Sequence, residues 1–511
     1  MYYYEQIGEA DIEFTFPVDA GKDEELRLIF DWKAASMRDI GKSTSGSDAP
    51  VQSLKKNNNP TFVPGRVDQP TYPSSATELL MYATPHHQER VRATADSTNQ
   101  VLDVGCNPTI HGHTCPVLGN TWSMVEHIHD VGFKAEHPVR AEMLPDLRKA
   151  LKKDIQYALP PNYMKGAGDT YFSGKMLAKL ARILVIADET EGAVTDKEFS
   201  SALARLRAGT EVWLNGSAES PLLYDHKWGG VVMCGCDYNE ESGHCNNAFP
   251  DCPALSDAGQ NFGAGFYNDH HYHFGYHIYA ASVVARFDPS WGRRFFEHVM
   301  MLIRDIANPS TQDPYFPTFR HKDWYLGFSW ASGIVTIQGQ PYPNGRNQES
   351  SSEAISAYEA VALFGDTMAK IFNDSGDDSD LVPLDASQRV REMGRLLMAT
   401  EIRSAKTYWH VQDRHTPGVA RVYPDVYAPK VIGMMWSMLA QEQTWFGNEP
   451  WKSYGIQLMP LTVVSVYNIS MCVSSFVCAV NAFVTAAGDG RGPMISKQYL
   501  LLLSGNTVTI A

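Results

Sequence analysis

The chain has 511 residues, 44% of them hydrophobic and 20% charged, and carries a formal net charge of −15. That length leaves room for about two to four domains with a sizeable buried core. The acidic balance argues against a nucleic-acid groove, which needs clustered Lys and Arg, and against an anionic membrane surface; a neutral polymer is the easier partner.

The start, Met1-Tyr2-Tyr3-Tyr4-Glu5-Gln6, has no basic region followed by an apolar core, so no signal peptide is visible. Either the protein stays inside the cell or its true start is missing. Residues 10–33 alternate apolar and polar positions, as in Ile12-Glu13-Phe14-Thr15-Phe16, and read as strands. Residues 38–76, rich in Ser, Asn, Asp, Pro and Lys, read as a flexible insertion. A strand resumes at Leu79-Leu80-Met81-Tyr82-Ala83 and runs into Pro85-His86-His87. From about residue 142 the apolar period becomes helical, with helices expected at 143–151, 176–184, 197–208, 276–287, 293–307, 353–365 and 387–405. Many amphipathic helices joined by long loops suggest a helical toroid or layered helix pairs. Residues 461–488 contain no Asp, Glu, Lys or Arg, which makes them a membrane-span candidate by length; their Ser, Thr, Asn and Ala content and the lack of a basic flank argue against it.

Eight cysteines are present. Cys106 and Cys115 are placed to close a short loop, while Cys234, Cys236, Cys245 and Cys252 cluster around His244. Disulfides or free thiols are favoured there over zinc, because no C-x-x-C pair occurs. Disulfides in such a loop-rich stretch would suit an exported protein. Asn215-Gly216-Ser217 and Asn373-Asp374-Ser375 are glycosylation sequons.

The chemistry-bearing segments are rich in acids and rings. Glu349 and Glu353 stand one helical turn apart in Asn347-Gln348-Glu349-Ser350-Ser351-Ser352-Glu353 and would share a face if a helix starts near the serines. Like charges at that spacing raise one pKa, which yields an acid and a base. A solvated helix start is the plainer reading. Asp269 lies in Tyr267-Asn268-Asp269-His270-His271-Tyr272-His273-Phe274-Gly275-Tyr276. A metal site on Asp269, His270, His271, His273 and His277 is the weaker reading, since no H-E-x-x-H pattern exists. Hydrogen-bonded histidines in a polar cleft are a better one, and a sugar contact at His273 the best. Asp323-Trp324-Tyr325-Leu326-Gly327-Phe328-Ser329-Trp330 adds two tryptophans suited to sugar faces, with core packing as the alternative for each.

Together these segments resemble family 81 of the glycoside hydrolases, the endo-1,3-β-glucanases. The His-rich segment is similar to that family's Y-N-D-H-H-F-H-Y-G-Y, and Gln348-Glu349-Ser350-Ser351-Ser352-Glu353-Ala354 to its Q-E-S-S-S-E-A. Ala83-Thr84-Pro85-His86-His87, Arg304-Asp305-Ile306-Ala307-Asn308-Pro309, Phe328-Ser329-Trp330-Ala331-Ser332-Gly333, Thr444-Trp445-Phe446-Gly447 and Tyr454-Gly455-Ile456-Gln457-Leu458-Met459-Pro460-Leu461-Thr462 follow in the family's order. The resemblance implies a partial N-terminal β-sandwich over 1–115, a small α/β connecting region over 116–165 and an (α/α)6 toroid over 166–462, with a divergent tail at 463–511. The chain reads as truncated at both ends relative to the family, and the tail as the product of a mis-spliced or truncated gene. It implies inverting hydrolysis of internal β-1,3 bonds in laminarin-like glucans. Asp269 is then the general acid, Glu349 the general base, and Glu353 orients the water or tunes Glu349. The two working carboxyls should stand about 6.5–9.5 Å apart. His273, Tyr272, Tyr276, Asp323, Trp324 and Trp330 are the expected substrate-binding residues. No cofactor or metal is expected; the partner is a β-1,3-glucan, the protein a monomer, and the family's location extracellular or in the cell wall. Two other readings stay open: a glucan-binding protein made inactive by truncation, and a metal-dependent hydrolase built on the histidines.

Overall fold

The computed structural model describes residues 8–15, 24–34, 80–93, 100–119, 121–134, 138–247, 249–334, 342–411, 422–424, 426–427 and 431–468. The insertion expected at 38–76 and most of the tail expected at 463–511 lie outside the described residues. The chain divides into two compact units.

One unit takes in residues 1–17, 26–109 and 113–125. The alternating N-terminal pattern does form strands: β1 (Gly8–Thr15) pairs antiparallel with β2 (Glu24–Ala34), Ile12 opposite Phe30 and Phe14 opposite Leu28. Strand β3 (Leu80–Ala83) then leads into helix α1 (Pro85–Ala93), which starts on a proline, the residue whose fixed φ and missing N–H suit a first helical position. Strands β4 (Gln100–Val101) and β3 flank β6 (Gly112–Leu118), β5 (Asn107–Thr109) also pairs with β6, and β7 (Thr121–Ile128) follows in the chain. Gln88 fastens α1 to this sheet by donating to the carbonyls of Ala83 (2.8 Å) and His113 (2.7 Å). The Cys106–Cys115 disulfide closes the expected loop.

The second unit runs mainly from Glu126 onward and is largely helical. Its long helices are α2 (Leu144–Asp154), α3 (Thr170–Glu189), α4 (Asp196–Leu214), α5 (His270–Phe287), α6 (Pro289–Ala307), α7 (Ser351–Asn373) and α8 (Leu381–Ser404). Most starts are written locally. Asp169 accepts the Phe172 N–H at 2.6 Å, Thr195 and Glu198 form a reciprocal capping box, and Asp288 accepts the Trp291 N–H at 3.0 Å beside Pro289. Helix α6 keeps one apolar face, whereas α5 and α7 are buried almost all round, as helices packed on several sides must be. Glycine permits the close crossings. A Cβ on Gly275 of α5 would come within 2.6 Å of Ala357 on α7, and one on Gly365 of α7 would strike the backbone of Arg391 on α8.

Short strands carry the loops between these helices. β8 (Leu222–Asp225) and β9 (Gly230–Met233) form a hairpin, β10 (Tyr238–Asn239) pairs with β11 (His244–Cys245), and β12 (Lys322–Asp323) pairs with β13 (Phe328–Ser329). β14 (Asn347–Gln348) joins β15 (Met434–Trp436) and β16 (Ala440–Gln441). Phe328, Trp330, Tyr408, Trp409, Ile432 and Met435 form one apolar cluster under these strands. The cysteine cluster around His244 resolves into Cys234–Cys252 and Cys236–Cys245, and His244 itself meets Glu219 at 2.7 Å. Among the described residues no helix is long and apolar enough to cross a membrane.

Candidate active site

The two glutamates do not share a helix face. Helix α7 begins at Ser351 with Ser350 as its cap, the Ser350 hydroxyl accepting the Glu353 N–H at 3.2 Å. Glu353 is therefore inside the first turn, while Glu349 precedes the helix at the end of β14. The serines that suggested a shared helix are themselves the cap and first turn, which displaces Glu349 from it.

Gln457 holds this junction from both sides. Its amide donates to the Glu349 carbonyl at 2.6 Å, and its side-chain oxygen accepts from the Ser351 N–H (2.9 Å) and hydroxyl (2.7 Å). The Glu349 carboxylate accepts the Trp445 N–H at 2.8 Å. Burial, together with the charge of Glu353, outweighs that bond and pushes the Glu349 pKa up to about 7. Glu353 is 4% exposed, and one of its oxygens accepts two phenol hydroxyls, from Tyr171 of α3 and Tyr276 of α5, each at 2.6 Å. Lys175 donates to the same Tyr171 hydroxyl at 3.1 Å and stands 4.0 Å from Glu353.

Asp269 occupies the cap position of α5 yet makes no side-chain cap bond. Its backbone is left-handed, with φ 60°, an unfavourable region for a non-glycine residue. A backbone relay brings it beside the glutamates. The Asp269 N–H donates to the Ala331 carbonyl (2.8 Å), and the Ala331 N–H donates to the Asn347 carbonyl (2.8 Å), two residues before Glu349. Tyr272 adds a second tie: its hydroxyl donates to Gln348 (2.8 Å) and accepts the Ser350 N–H (3.0 Å), so it grips both neighbours of Glu349. Burial and the charges of Glu349 and Glu353 hold the Asp269 pKa well above the usual carboxylate range. The arrangement therefore offers a carboxyl that keeps its proton, one that exchanges its proton near neutrality, and one fixed by phenols.

The other expected binding residues are placed more deeply. His273 is fully buried, its Nδ1 2.6 Å from the Thr170 hydroxyl, and burial lowers its pKa well below the usual value. Tyr272 and Tyr276 are spent on the glutamate segment as described. Asp323 is partly exposed and accepts the Trp330 indole N–H at 3.1 Å, with Arg346 3.4 Å away. Trp330 packs edge-to-face with Phe328 under the Arg346 guanidinium, and Trp324 packs edge-to-face with Phe319; both indoles are buried. The exposed rings attached to the acid trio are others. Phe172 and Phe262 flank Tyr171, and Trp445, which bonds Glu349, stands against Tyr342 and Trp436. Tyr171, Lys175, Trp445 and Gln457 were missed as site residues. Trp445 and Gln457 lie in segments that carried the family resemblance, whereas the Tyr171–Lys175 pair had only its i,i+4 spacing to mark it.

The histidines disperse rather than gather. His273 goes to Thr170, His277 Nε2 lies 3.0 Å from the Thr170 carbonyl, and His270 lies against Asp305. The described residues contain one group with ligand-type atoms within 4.8 Å of one another, His270, Asp305 and His321. The Arg320 guanidinium 3.6 Å from Asp305 already supplies a cation there, so these residues do not fit a metal ion.

Comparison with known proteins agrees with the sequence resemblance. Residues 138–479 match the glycosyl hydrolase family 81 C-terminal domain, and residues 69–138 match its N-terminal domain. A soybean (Glycine max) glucan endo-1,3-beta-D-glucosidase is 30% identical over 398 residues, covering 76% of this chain and 51% of the relative. A Saccharomyces cerevisiae glucan endo-1,3-beta-D-glucosidase 2 is 27% identical over 77% of this chain and 46% of its own length. The Schizosaccharomyces pombe primary septum glucan endo-1,3-beta-D-glucosidase is 27% identical over 78% and 35%. The chain thus spans about half or less of these relatives. A solved glycoside hydrolase family 81 structure from Clostridium thermocellum superposes with a TM-score of 0.62 at 21% identity, covering 97% of this chain and 56% of that one, a likeness of fold.

Proposed function

The chain belongs to glycoside hydrolase family 81, and on that premise we propose that it hydrolyses internal β-1,3-glucosidic bonds of laminarin-like β-glucans with inversion. The observation that carries this reading is the convergence of Asp269, Glu349 and Glu353 from two distant segments, two of them with raised pKa values. Asp269, kept protonated by burial and by its acidic neighbours, donates a proton to the departing glycosidic oxygen. Glu349, poised near neutrality, takes a proton from the attacking water. Glu353, fixed by Tyr171 and Tyr276, orients that water and adds its charge to the burial that lifts Glu349. Inversion needs room for this water, about 6.5–9.5 Å between the two working carboxyls.

His273, Tyr272 and Tyr276 shape the site through their hydrogen bonds, and Asp323, bonded by the Trp330 indole and followed by the buried Trp324, offers acceptor oxygens to sugar hydroxyls. Phe172, Phe262 and Trp445 supply the exposed faces for pyranose rings. The helix pairs from residue 166 onward are the helices of an (α/α)6 toroid, the strands before 115 part of a β-sandwich, and 116–165 the connection between them. The three disulfides suit an oxidising compartment and hence an exported protein acting on wall or storage glucan.

Incubation with laminarin, curdlan and a mixed-linkage glucan tests the reading. Oligosaccharide release from the first two, with the new reducing end first seen by proton NMR as the α-anomer, is expected. Binding without release, or an initial β-anomer, defeats it.

A further inference from the structure

His270 directly follows the proposed acid and is fully buried. Both of its ring nitrogens face acceptors: Nδ1 lies 2.6 Å from Asp305 Oδ2, and Nε2 lies 2.7 Å from the Ala264 carbonyl oxygen. A carbonyl oxygen has no proton to give, so Nε2 must carry one. The Nδ1 proton follows from the other side of Asp305. Its Oδ1 accepts the Val231 N–H at 3.0 Å and stands 3.6 Å from Arg320, surroundings that favour the carboxylate over the acid. Against the cost of burial, His270 and Arg320 hold the Asp305 pKa below its usual value. The remaining titratable groups around the ring do not compete. His321, from the loop entering β12, is 5.9 Å away, and burial keeps it neutral; His271, on the same helix, is also neutral, its pKa lowered to about 3 by burial; and Tyr267 lies 5.1 Å away with its hydroxyl given to Asp225.

We propose that His270 is a positioning residue whose ring donates both of its hydrogen bonds, to Asp305 and to the Ala264 carbonyl, and so fixes the turn that aims Asp269. That turn is strained. Asn261, Phe262, Tyr267 and Asp269 are all non-glycine residues with positive φ. Such conformations persist only where tertiary contacts over-determine them. The Ala264 carbonyl lies inside the turn, and Asp305 lies on α6, so His270 ties the beginning of α5 both to the turn before it and to the neighbouring helix. Arg320 adds a stacking contact 4.1 Å over Tyr267. The direction of the Asp269 carboxyl is inherited from this framework.

The protonation state is testable without any substrate. In the 15N-labelled protein, with His270→Gln used for assignment, both His270 nitrogens should bear protons. A ring with one proton overturns the proposal. The kinetic half rests on the glucanase reading. His270→Gln should lower kcat on laminarin by about 100-fold, the cost of a small misplacement of a reacting group, with KM close to wild type. A folded variant with unchanged kcat, or one whose loss lies wholly in KM, also overturns it. Should His270→Gln fail to fold, Asp305→Asn removes the counter-charge at constant shape. That change should also lower kcat with KM close to wild type; an unchanged kcat, or a loss wholly in KM, refutes the assignment. If the wild type releases no sugar from laminarin, the glucanase reading fails, while the nitrogen spectrum still decides the protonation of His270.

Discussion

Asp288 and Asp269 are the same residue in the same place, the cap of a long helix, and they behave in opposite ways. Asp288 uses its carboxylate for the structure. One oxygen accepts the Trp291 N–H and the Ser290 hydroxyl, and the other accepts from Arg207 at 2.9 Å. These bonds overcome the cost of burial and hold its pKa below the usual value. Asp269 takes a left-handed backbone that turns the carboxyl away from its own helix, meets two other carboxylates and has its pKa driven up. The difference shows what a site gives up. A cap bond worth about 1 kcal/mol is left unmade, and like charges are brought together, so that one acid keeps its proton. Local rules fail at Asp269, as they would at the functional position proposed for it.

The strongest way to break this comparison is to remove the acids. Asp269→Asn and Glu349→Gln should each cost about 10²–10⁴-fold in kcat on laminarin. Melting temperature should hold, because each change keeps the shape of the side chain and removes only a buried carboxyl whose charged form burial disfavours. A large fall in stability alongside activity would mean the acids serve the fold. The wild-type pH profile should be a bell. Glu349 must be ionised to act as base, so activity rises as pH climbs through about 7, and Asp269, its pKa raised by burial and by its acidic neighbours, must keep its proton to act as acid, so activity is lost where it ionises. A profile flat from pH 5 to 9 would be incompatible with these roles.

Glu359 asks whether a raised pKa alone marks function. It is 2% exposed on α7, and burial raises its pKa to about 7 against bonds from Thr462 and Val464 and the charge of Arg182. Because the folded-state value exceeds the unfolded 4.5, the folded protein binds this proton more tightly. Stability is unpenalised below that pH, declines as pH rises towards 7, and carries the full cost above it. Glu359→Gln should thus stabilise at pH 8 by on the order of 3 kcal/mol, with no gain near pH 4 and unaltered kcat. Calorimetry at the two pH values checks this; loss of activity would make Glu359 part of the site.

Two smaller effects sharpen the contrast. Tyr171→Phe removes one of the two hydroxyls on Glu353 and should lower kcat by about tenfold, as loss of a hydrogen bond to a charged group of about 1.5 kcal/mol implies. Asp288→Ala should cost about 1 kcal/mol in chemical denaturation and leave kcat untouched. Were Asp288→Ala to impair catalysis, the division between a structural and a chemical aspartate would not stand.

The helices were legible from their apolar period, and their cores fell where expected, but several of their starts were not. The period set in late on α5, whose first turn is Asp269's histidine-rich neighbourhood rather than a simple amphipathic stripe, and the structure begins that helix at His270 rather than 276. A helix start near the serines was legible, but the shared face of Glu349 and Glu353 was not realised, because Ser350 is the cap and leaves Glu349 off the helix. Trp324 and Trp330 were legible as aromatic residues in a chemistry-bearing segment, yet whether a ring faces solvent or core depends on partners such as Phe319 and Phe328, which no local pattern reveals.

The sequence by itself determined which side chains exist to do chemistry, where strand and helix periods change, and which family's ordered motifs the chain carries. The tertiary structure alone decided that Asp269 stands beside Glu349 through Ala331 and Asn347, that Glu353 is held by phenols from two other helices, and that His270 is clamped between a carboxylate and a carbonyl. The reason is physical. Periodicity and capping act over one or two helical turns, whereas burial and charge–charge interaction depend on distance in space, and it is these that set the protonation of an acid.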